Sequence, residues 1–204
     1  MFIHSKLGYS TVNGPGERAV VWLQGCVGMN CHGCWNPETH KLFQGESWLP
    51  GELARWIAEQ PVTGVTFSGG EPMHQASGLL VTLDRLRKLR PDFSLGLFTG
   101  YTEKELESAA YQTYIGASQS SVTTVYLKTG LWERLRDRLD FAIMGRYNWL
   151  QPANGNLCSS KNQQLRLFTS RHTEADFARP LEVEVTITDE LIQVTGFPTR
   201  GVQL

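Results

Sequence analysis

The sequence has no basic block, no long apolar run and few cysteines. Its 19 Lys and Arg residues nearly balance 20 Asp and Glu residues, so charge gives no support for a nucleic-acid or acidic-membrane partner. No apolar stretch approaches the roughly 20 residues of a membrane span, and the first residues lack the apolar segment of a signal peptide. These absences predict a cytoplasmic protein with no nucleic-acid or membrane partner.

The few cysteines are concentrated in one loop. Cys26, Cys31 and Cys34 lie within nine residues, whereas Cys158 lies far away in the sequence. In a reducing compartment, clustered cysteines are typical of metal ligands rather than disulfides. Three thiolates are one ligand short of the four that a structural zinc or a closed iron–sulfur cluster takes. An iron–sulfur cluster with one open position fits this spacing, and so does a Cys₃His zinc site completed by His40 or, as a second candidate, by His32.

A double glycine followed by a carboxylate lies one strand–helix unit later, at Ser68, Gly69, Gly70 and Glu71. Glycines let backbone groups approach a ligand closely, and a carboxylate complements a cationic group such as the ammonium of S-adenosylmethionine (SAM). On its own the run equally fits a turn, with Glu71 near a helix start where the dipole favours negative charge. After a three-cysteine loop, it favours a radical SAM site.

The rest of the sequence alternates between apolar strands and amphipathic helices. We predict strands over 19–24, 62–67, 93–99 and 140–144, and helices over 51–59, 75–90, 102–110 and 132–139. This alternation implies an α/β fold with a parallel sheet, whose ligand-binding loops lie at the carboxyl ends of the strands. Residues 111–130 fit no element. Near the C-terminus, segments 181–188 and 191–195 predict an antiparallel β-hairpin.

In order and spacing, these motifs resemble those of the radical SAM activating enzymes of glycyl-radical proteins, most of all those that activate anaerobic ribonucleoside-triphosphate reductase. The resemblance covers roughly residues 9–168. The matching segments are 12–16, 25–40, 67–72, 98–101, 140–147 and 159–163. It implies a partial, open β/α barrel of the radical SAM type over residues 1–168. Residues 169–204 would then be a small C-terminal β-hairpin extension packed on the same domain.

The resemblance also implies a role for individual residues. Cys26, Cys31 and Cys34 would hold a 4Fe–4S cluster whose fourth iron chelates the amino and carboxylate groups of SAM. The residues expected to contact SAM are Gly33, Cys34, Trp35, Ser68, Gly69, Gly70 and Glu71. Of these, Gly33 and Trp35 would line the adenosyl portion. No side chain is expected to act as a general acid or base.

The reaction implied by the resemblance is the formation of a glycyl radical. One electron from the reduced cluster, supplied by a flavodoxin-type donor, would cleave SAM to methionine and a 5′-deoxyadenosyl radical. This radical would remove a hydrogen atom from a glycine Cα of a partner such as anaerobic ribonucleoside-triphosphate reductase. Two alternatives stay open: a radical SAM enzyme acting on a small molecule, like 7-carboxy-7-deazaguanine synthase, and a non-enzymatic zinc module.

The sequence departs from the family pattern in two places. Four residues separate Cys26 from Cys31 instead of the usual three, and we expect Gly28 to absorb the extra residue without loss of the cluster. The tail beyond residue 168 has no counterpart in the short activating proteins. Its hairpin is either a docking surface for a partner or an edge that covers the sheet, and we favour the second function.

Overall fold

The fold is built on one large mixed sheet. A computed structural model describes residues 1–29, 31–114, 130–187 and 192–197. The strands are β1 (Phe2–Ser10), β2 (Arg18–Leu23), β3 (Glu46–Ser47), β4 (Gly64–Gly69), β5 (Ser94–Thr99), β6 (Phe141–Met144), β7 (Pro152–Gly155), β8 (Cys158–Ser160), β9 (Gln164–Leu167), β10 (Val183–Ile187) and β11 (Ile192–Gly196). The α-helices are α1 (Pro50–Ala58), α2 (Ala76–Leu89), α3 (Glu103–Glu107) and α4 (Leu131–Arg136). Most of 111–130, for which the sequence predicts no element, lies outside the described residues.

Four parallel strands form the middle of the sheet, as the alternation predicts. The strand order is β3-β1-β2-β4-β5-β6-β9, and β2, β4, β5 and β6 run parallel to one another. β1 and β3 on one edge and β9 on the other are antiparallel to their neighbours. The prediction of a parallel sheet is therefore wrong at the edges, where short or irregular strands show no strong alternation. In the described part of the chain, the end strands do not close the sheet into a barrel.

Helices α1, α2 and α4 cover one face of the sheet. Ala19 and Val21 on β2 belong to the same apolar cluster as Leu79 and Leu83 on α2, which are one helical turn apart. Leu89 is 49% exposed because α2 ends there. Among the described helices, none combines the length and the apolar character needed to span a bilayer.

The C-terminal part of the chain covers the other face of the sheet. Phe141 and Ile143 on β6 pack with Leu157, Cys158 and Phe177. The ring centroids of Phe141 and Phe177 lie 5.0 Å apart in an edge-on contact. The predicted antiparallel pair near the C-terminus is present as β10 and β11, and the residues that connect them lie outside the described ranges.

Candidate active site

A cavity of ≈ 490 Å³ opens at the carboxyl ends of the parallel strands. Its walls include the ends of β4 and β5, with Ser68, Gly69 and Thr99, and Gly145 directly after β6. This end of the parallel strands is where open α/β sheets bind ligands. The cysteine loop after β2 reaches the same cavity. The fold therefore brings together the two motifs that the sequence analysis singled out.

Cys26, Cys31 and Cys34 all line this cavity, and each is partly buried. Burial raises the pKa of all three thiols, and for Cys26 the nearby Glu71 carboxyl and the other two thiols raise it further. A cationic metal group offsets these effects and converts the thiols into thiolate ligands. Three soft sulfur donors facing one cavity are therefore chemically suited to an iron–sulfur cluster.

The geometry also indicates whether the site could hold a single metal ion instead of a cluster. Among the residues that the structure describes, no three or more His, Cys, Asp and Glu side chains are close enough to hold one metal ion together. A cubane cluster makes a different demand, because its thiolates bind separate irons. His40, the fourth ligand in the zinc alternative, lines the cavity, and its carbonyl accepts a 3.1 Å hydrogen bond from the Cys26 N–H.

Backbone contacts fix the cysteine loop against the double glycine. The Gly25 N–H donates to the Thr39 carbonyl at 2.7 Å, and the Gly25 carbonyl accepts a hydrogen bond from the Glu71 N–H at 2.8 Å. The Gly70 N–H donates to the Leu23 carbonyl at 2.8 Å. A Cβ on residue 70 would lie 2.5 Å from the Gly25 oxygen. Glycine is therefore required at position 70 because the two loops touch through their backbones.

Glu71 connects the double glycine to the end of β5. Its side chain is buried, and Oε1 accepts hydrogen bonds from the Met73 N–H at 2.9 Å and the Thr99 hydroxyl at 2.8 Å. Oε2 accepts one from the Gly100 N–H at 2.7 Å. Burial raises the pKa of Glu71 to about 7, although these donors oppose the rise. Glu71 also lines the cavity, so the SAM contact that the sequence predicts there stays a prediction, and the structure adds that its carboxyl group braces two loops.

The two residues predicted to line the adenosyl portion of SAM, Trp35 and Gly33, are placed differently from each other. Trp35 lines the cavity, and its ring packs on Tyr147 with centroids 5.6 Å apart. Gly33 has a φ of 73° and lies against Trp149, where a Cβ would come within 3.3 Å of that side chain. Gly33 is not among the described residues that line the cavity. Of the predicted adenosyl contacts, the structure therefore brings only Trp35 into the cavity wall.

Comparison with known proteins identifies the family. Residues 12–166, most of the chain, match the family model described as a 4Fe-4S single cluster domain. The chain belongs to this family. The match contains the cysteine loop, the double glycine and the four parallel strands, so the 4Fe-4S family assignment rests on the same elements that form the cavity.

Curated relatives agree with the 4Fe-4S family assignment. The anaerobic ribonucleoside-triphosphate reductase-activating protein of Vibrio cholerae is 35% identical over 116 residues, which is 53% of this chain and 74% of the relative. The protein of the same name from Escherichia coli K12 is 30% identical over 119 residues, 55% of this chain and 77% of the relative. The pyruvate formate-lyase-activating enzyme of Clostridium pasteurianum is 38% identical over 84 residues, 38% of this chain and 35% of the relative.

The 4Fe-4S family match ends before the C-terminal strands, yet one of them reaches the site. β11 and Phe197 also line the cavity. Thr195 on β11 accepts a 2.9 Å hydrogen bond from the Asn13 side chain, and the Asn13 carbonyl accepts one of 2.7 Å from the Thr66 hydroxyl. Alternation in the sequence predicts this strand but does not indicate what the strand packs against, so this wall of the cavity was not predicted.

Proposed function

We propose that this protein is a radical SAM activating enzyme that generates a glycyl radical on a partner of the anaerobic ribonucleoside-triphosphate reductase type. One observation carries the proposal: three partly buried thiols and the double-glycine turn line one cavity at the carboxyl ends of the parallel strands. The activities for which the relatives are named supply the class of partner.

Within this proposal, the residues of the cavity divide into ligands and supports. Cys26, Cys31 and Cys34 hold the 4Fe–4S cluster. Ser68, Gly69 and Gly70 supply backbone groups to SAM, with Trp35 on the adenosyl side. When bound and reduced, the cluster and SAM would supply the radical chemistry that removes a hydrogen atom from a glycine Cα of the partner. Glu71 holds the SAM-binding turn against the end of β5.

The fold supports a partial, open β/α barrel of the radical SAM type over residues 1–168. Four parallel strands with helices on one face give the barrel portion, and antiparallel strands border it. We assign residues 169–204 to a C-terminal extension packed on the same domain. The contact between Phe177 and Phe141 supports this division, because it joins the extension to a central strand.

A flavodoxin-type protein is the electron donor in this proposal, and the cytoplasm is the compartment. Val27 and Trp35 are exposed on the cysteine loop, so the cluster site lies near the protein surface. A one-electron donor must approach a cluster closely, and an exposed ligand loop permits this. A cytoplasmic site matches the free thiols that the ligands require.

The test of this function is electron paramagnetic resonance of the partner. The protein with a reconstituted cluster is incubated without oxygen with SAM, dithionite and the anaerobic ribonucleoside-triphosphate reductase of the same organism. We expect a glycyl-radical signal that requires both SAM and this protein. SAM cleavage without a radical on the reductase, but with turnover of a purine-like small molecule, would favour the small-molecule alternative.

A further inference from the structure

The hairpin of β10 and β11 has its polar face turned toward the protein. The two strands pair antiparallel, with Glu184 directly opposite Thr195. Thr195 is buried, and its hydroxyl oxygen accepts a 2.9 Å hydrogen bond from the Asn13 side chain. The Glu184 carboxylate accepts a 3.2 Å hydrogen bond from the Thr11 N–H. Polar contacts therefore attach the hairpin to the loop that follows β1.

The opposite face of the hairpin is apolar and exposed. Because side chains alternate along a strand, the register places Val183, Val185, Ile187, Ile192 and Val194 on one face, which we call the apolar hairpin face. Val185 is 55% exposed, Ile187 72% and Ile192 69%. Apolar side chains clustered on the solvent side of a strand pair mark an interaction surface rather than a core. These five side chains carry no charge, so the surface suits an apolar segment.

The apolar hairpin face is continuous with the active-site cavity. β11 lines the cavity that also contains Cys26, Cys31 and Cys34. β10 and β11 form a sheet of their own, and within the described residues neither outer edge pairs with another strand. A free strand edge offers N–H and C=O groups to one more extended chain. An extended peptide bound along this hairpin would therefore lead into the cavity.

We propose that the apolar hairpin face and its free strand edge bind the glycine-bearing segment of the partner enzyme. This inference rests on the proposed function, in which a partner glycine Cα must reach the cavity. An extended and exposed peptide can deliver a backbone carbon into a cavity, and such a peptide can also pair with a strand edge. Apolar side chains that flank the glycine pack on Val185 and Ile187.

The position of the hairpin in the chain indicates a function in partner selection. The family match ends at residue 166, before β10 begins. The part of the cavity wall that carries the cysteines therefore lies within the family match, whereas the part formed by the hairpin lies outside it. A surface outside the cluster-binding elements can change which peptide enters the cavity without changing the ligands of the cluster.

The test compares two double variants. Val185→Thr with Ile187→Thr makes the hairpin face polar and keeps β-branched side chains that suit a strand. Leu49→Thr with Val81→Thr is the matched control, because these exposed apolar residues lie away from the cavity, before α1 and on α2. For each protein, uncoupled 5′-deoxyadenosine formation is measured without partner. Glycyl-radical formation is then measured by electron paramagnetic resonance against the concentration of the reductase of the same organism.

We expect the hairpin variant to need about fivefold more reductase for half-maximal radical formation, because it loses apolar burial at the interface. Its uncoupled SAM cleavage and the behaviour of the control should match the wild type. An unchanged reductase requirement would overturn the docking surface, as would loss of uncoupled cleavage in the hairpin variant. A wild-type dimer, seen by light scattering, that becomes monomeric in the hairpin variant would reassign the face to self-association. Wild-type protein that cleaves SAM but never radicalises the reductase would refute the proposed function and the surface with it.

Discussion

At the scale of single residues, Glu71 is buried, and neighbouring groups donate hydrogen bonds to both of its carboxyl oxygens. Its two oxygens accept three hydrogen bonds, from Met73, Thr99 and Gly100. The residue therefore joins the loop after β4 to the loop after β5. By joining these two loops, the Glu71 carboxyl group also holds in place the backbone of the double glycine that precedes it.

Substitution Glu71→Gln should destabilise the protein. The amide places an NH₂ group where a carboxylate oxygen now accepts a backbone N–H, so we expect a loss of about 2 kcal/mol in the free energy of unfolding. Urea unfolding of the cluster-free protein measures this loss. Glu105→Gln, on the partly exposed capping box of α3, is the matched control and should cost less than about 1 kcal/mol. Unchanged stability with impaired SAM binding would instead make Glu71 a direct SAM ligand.

His74 should make stability depend on pH. Burial lowers the pKa of His74 from 6.5 to about 4, and its Nε2 lies 3.3 Å from the Tyr101 hydroxyl. The unfolded chain therefore takes up the proton first on acidification. The stabilisation is fully present above pH 6.5 and is lost as the pH falls to about 4, by at most about 3 kcal/mol.

The measurement is the free energy of unfolding of wild type and His74→Gln from pH 7.5 to pH 4 (about one point per half unit). We expect the free-energy difference between wild type and variant to change in favour of the variant as the pH falls from 6.5 to 4, because only the wild type loses the His74 contribution. The raised pKa of Glu71 acts with the opposite sign, because its protonated form is favoured in the folded state, and it is common to both proteins. Parallel profiles would contradict a buried neutral His74.

At the scale of elements, the site depends on the contact between two loops. The loop that carries the cysteines and the loop that follows β4 touch through the backbones of Gly25 and Gly70. Sequence reasoning predicted both loops and their common edge of the sheet, because apolar runs ending in glycine locate strand ends. It could not predict the contact, since no pattern of residue types encodes which backbone atoms meet.

Substitution Gly70→Ala should displace the cysteine loop. The added Cβ would lie 2.5 Å from the Gly25 oxygen, so we expect a loss of about 2 kcal/mol of stability and a lower content of iron and sulfide after reconstitution. Gly28→Asn is the control, because a Cβ there has no neighbour within 4 Å and Asn tolerates its φ of 77°. Equal iron content in both variants would show that the loop contact does not position the ligands.

The strands that sequence reasoning missed share a physical cause. β1 pairs with β2 through two register irregularities, between Ile3 and Ser5 and between Leu7 and Ser10. These irregularities break the two-residue period that alternation depends on. β9 lies at the other edge and is partly exposed along its length, so its residues need not be apolar. The parallel strands, buried on both faces, left a clear apolar signal.

At the scale of the whole molecule, the C-terminal extension and the main sheet share a core. Phe177 packs on Phe141, and Asp140 at the start of β6 accepts hydrogen bonds from Thr169 and Arg171. The same Asp140 carboxylate accepts one from Arg87 on α2. These contacts connect the extension to both the sheet and the helices, so we expect the described parts of the chain to unfold together.

Substitution Phe177→Ala tests this expectation. Removing a fully buried ring costs about 3–5 kcal/mol, and one cooperative unfolding transition should shift to lower denaturant concentration. Fluorescence and circular dichroism, followed together in urea, should give coincident curves. Leu150→Ala, at an exposed position, should leave the midpoint unchanged. A main transition unaffected by Phe177→Ala would mean that residues 169–204 form an independent unit.

The central claim is that the cysteine loop supports radical SAM chemistry, and 5′-deoxyadenosine formation tests it most directly. Protein reconstituted with iron and sulfide without oxygen is reduced with dithionite in the presence of SAM, and the product is measured by chromatography. We predict product from the wild type and from Cys158→Ala, and none when Cys26, Cys31 or Cys34 becomes alanine. No product from wild-type protein with a fully loaded cluster would contradict the account.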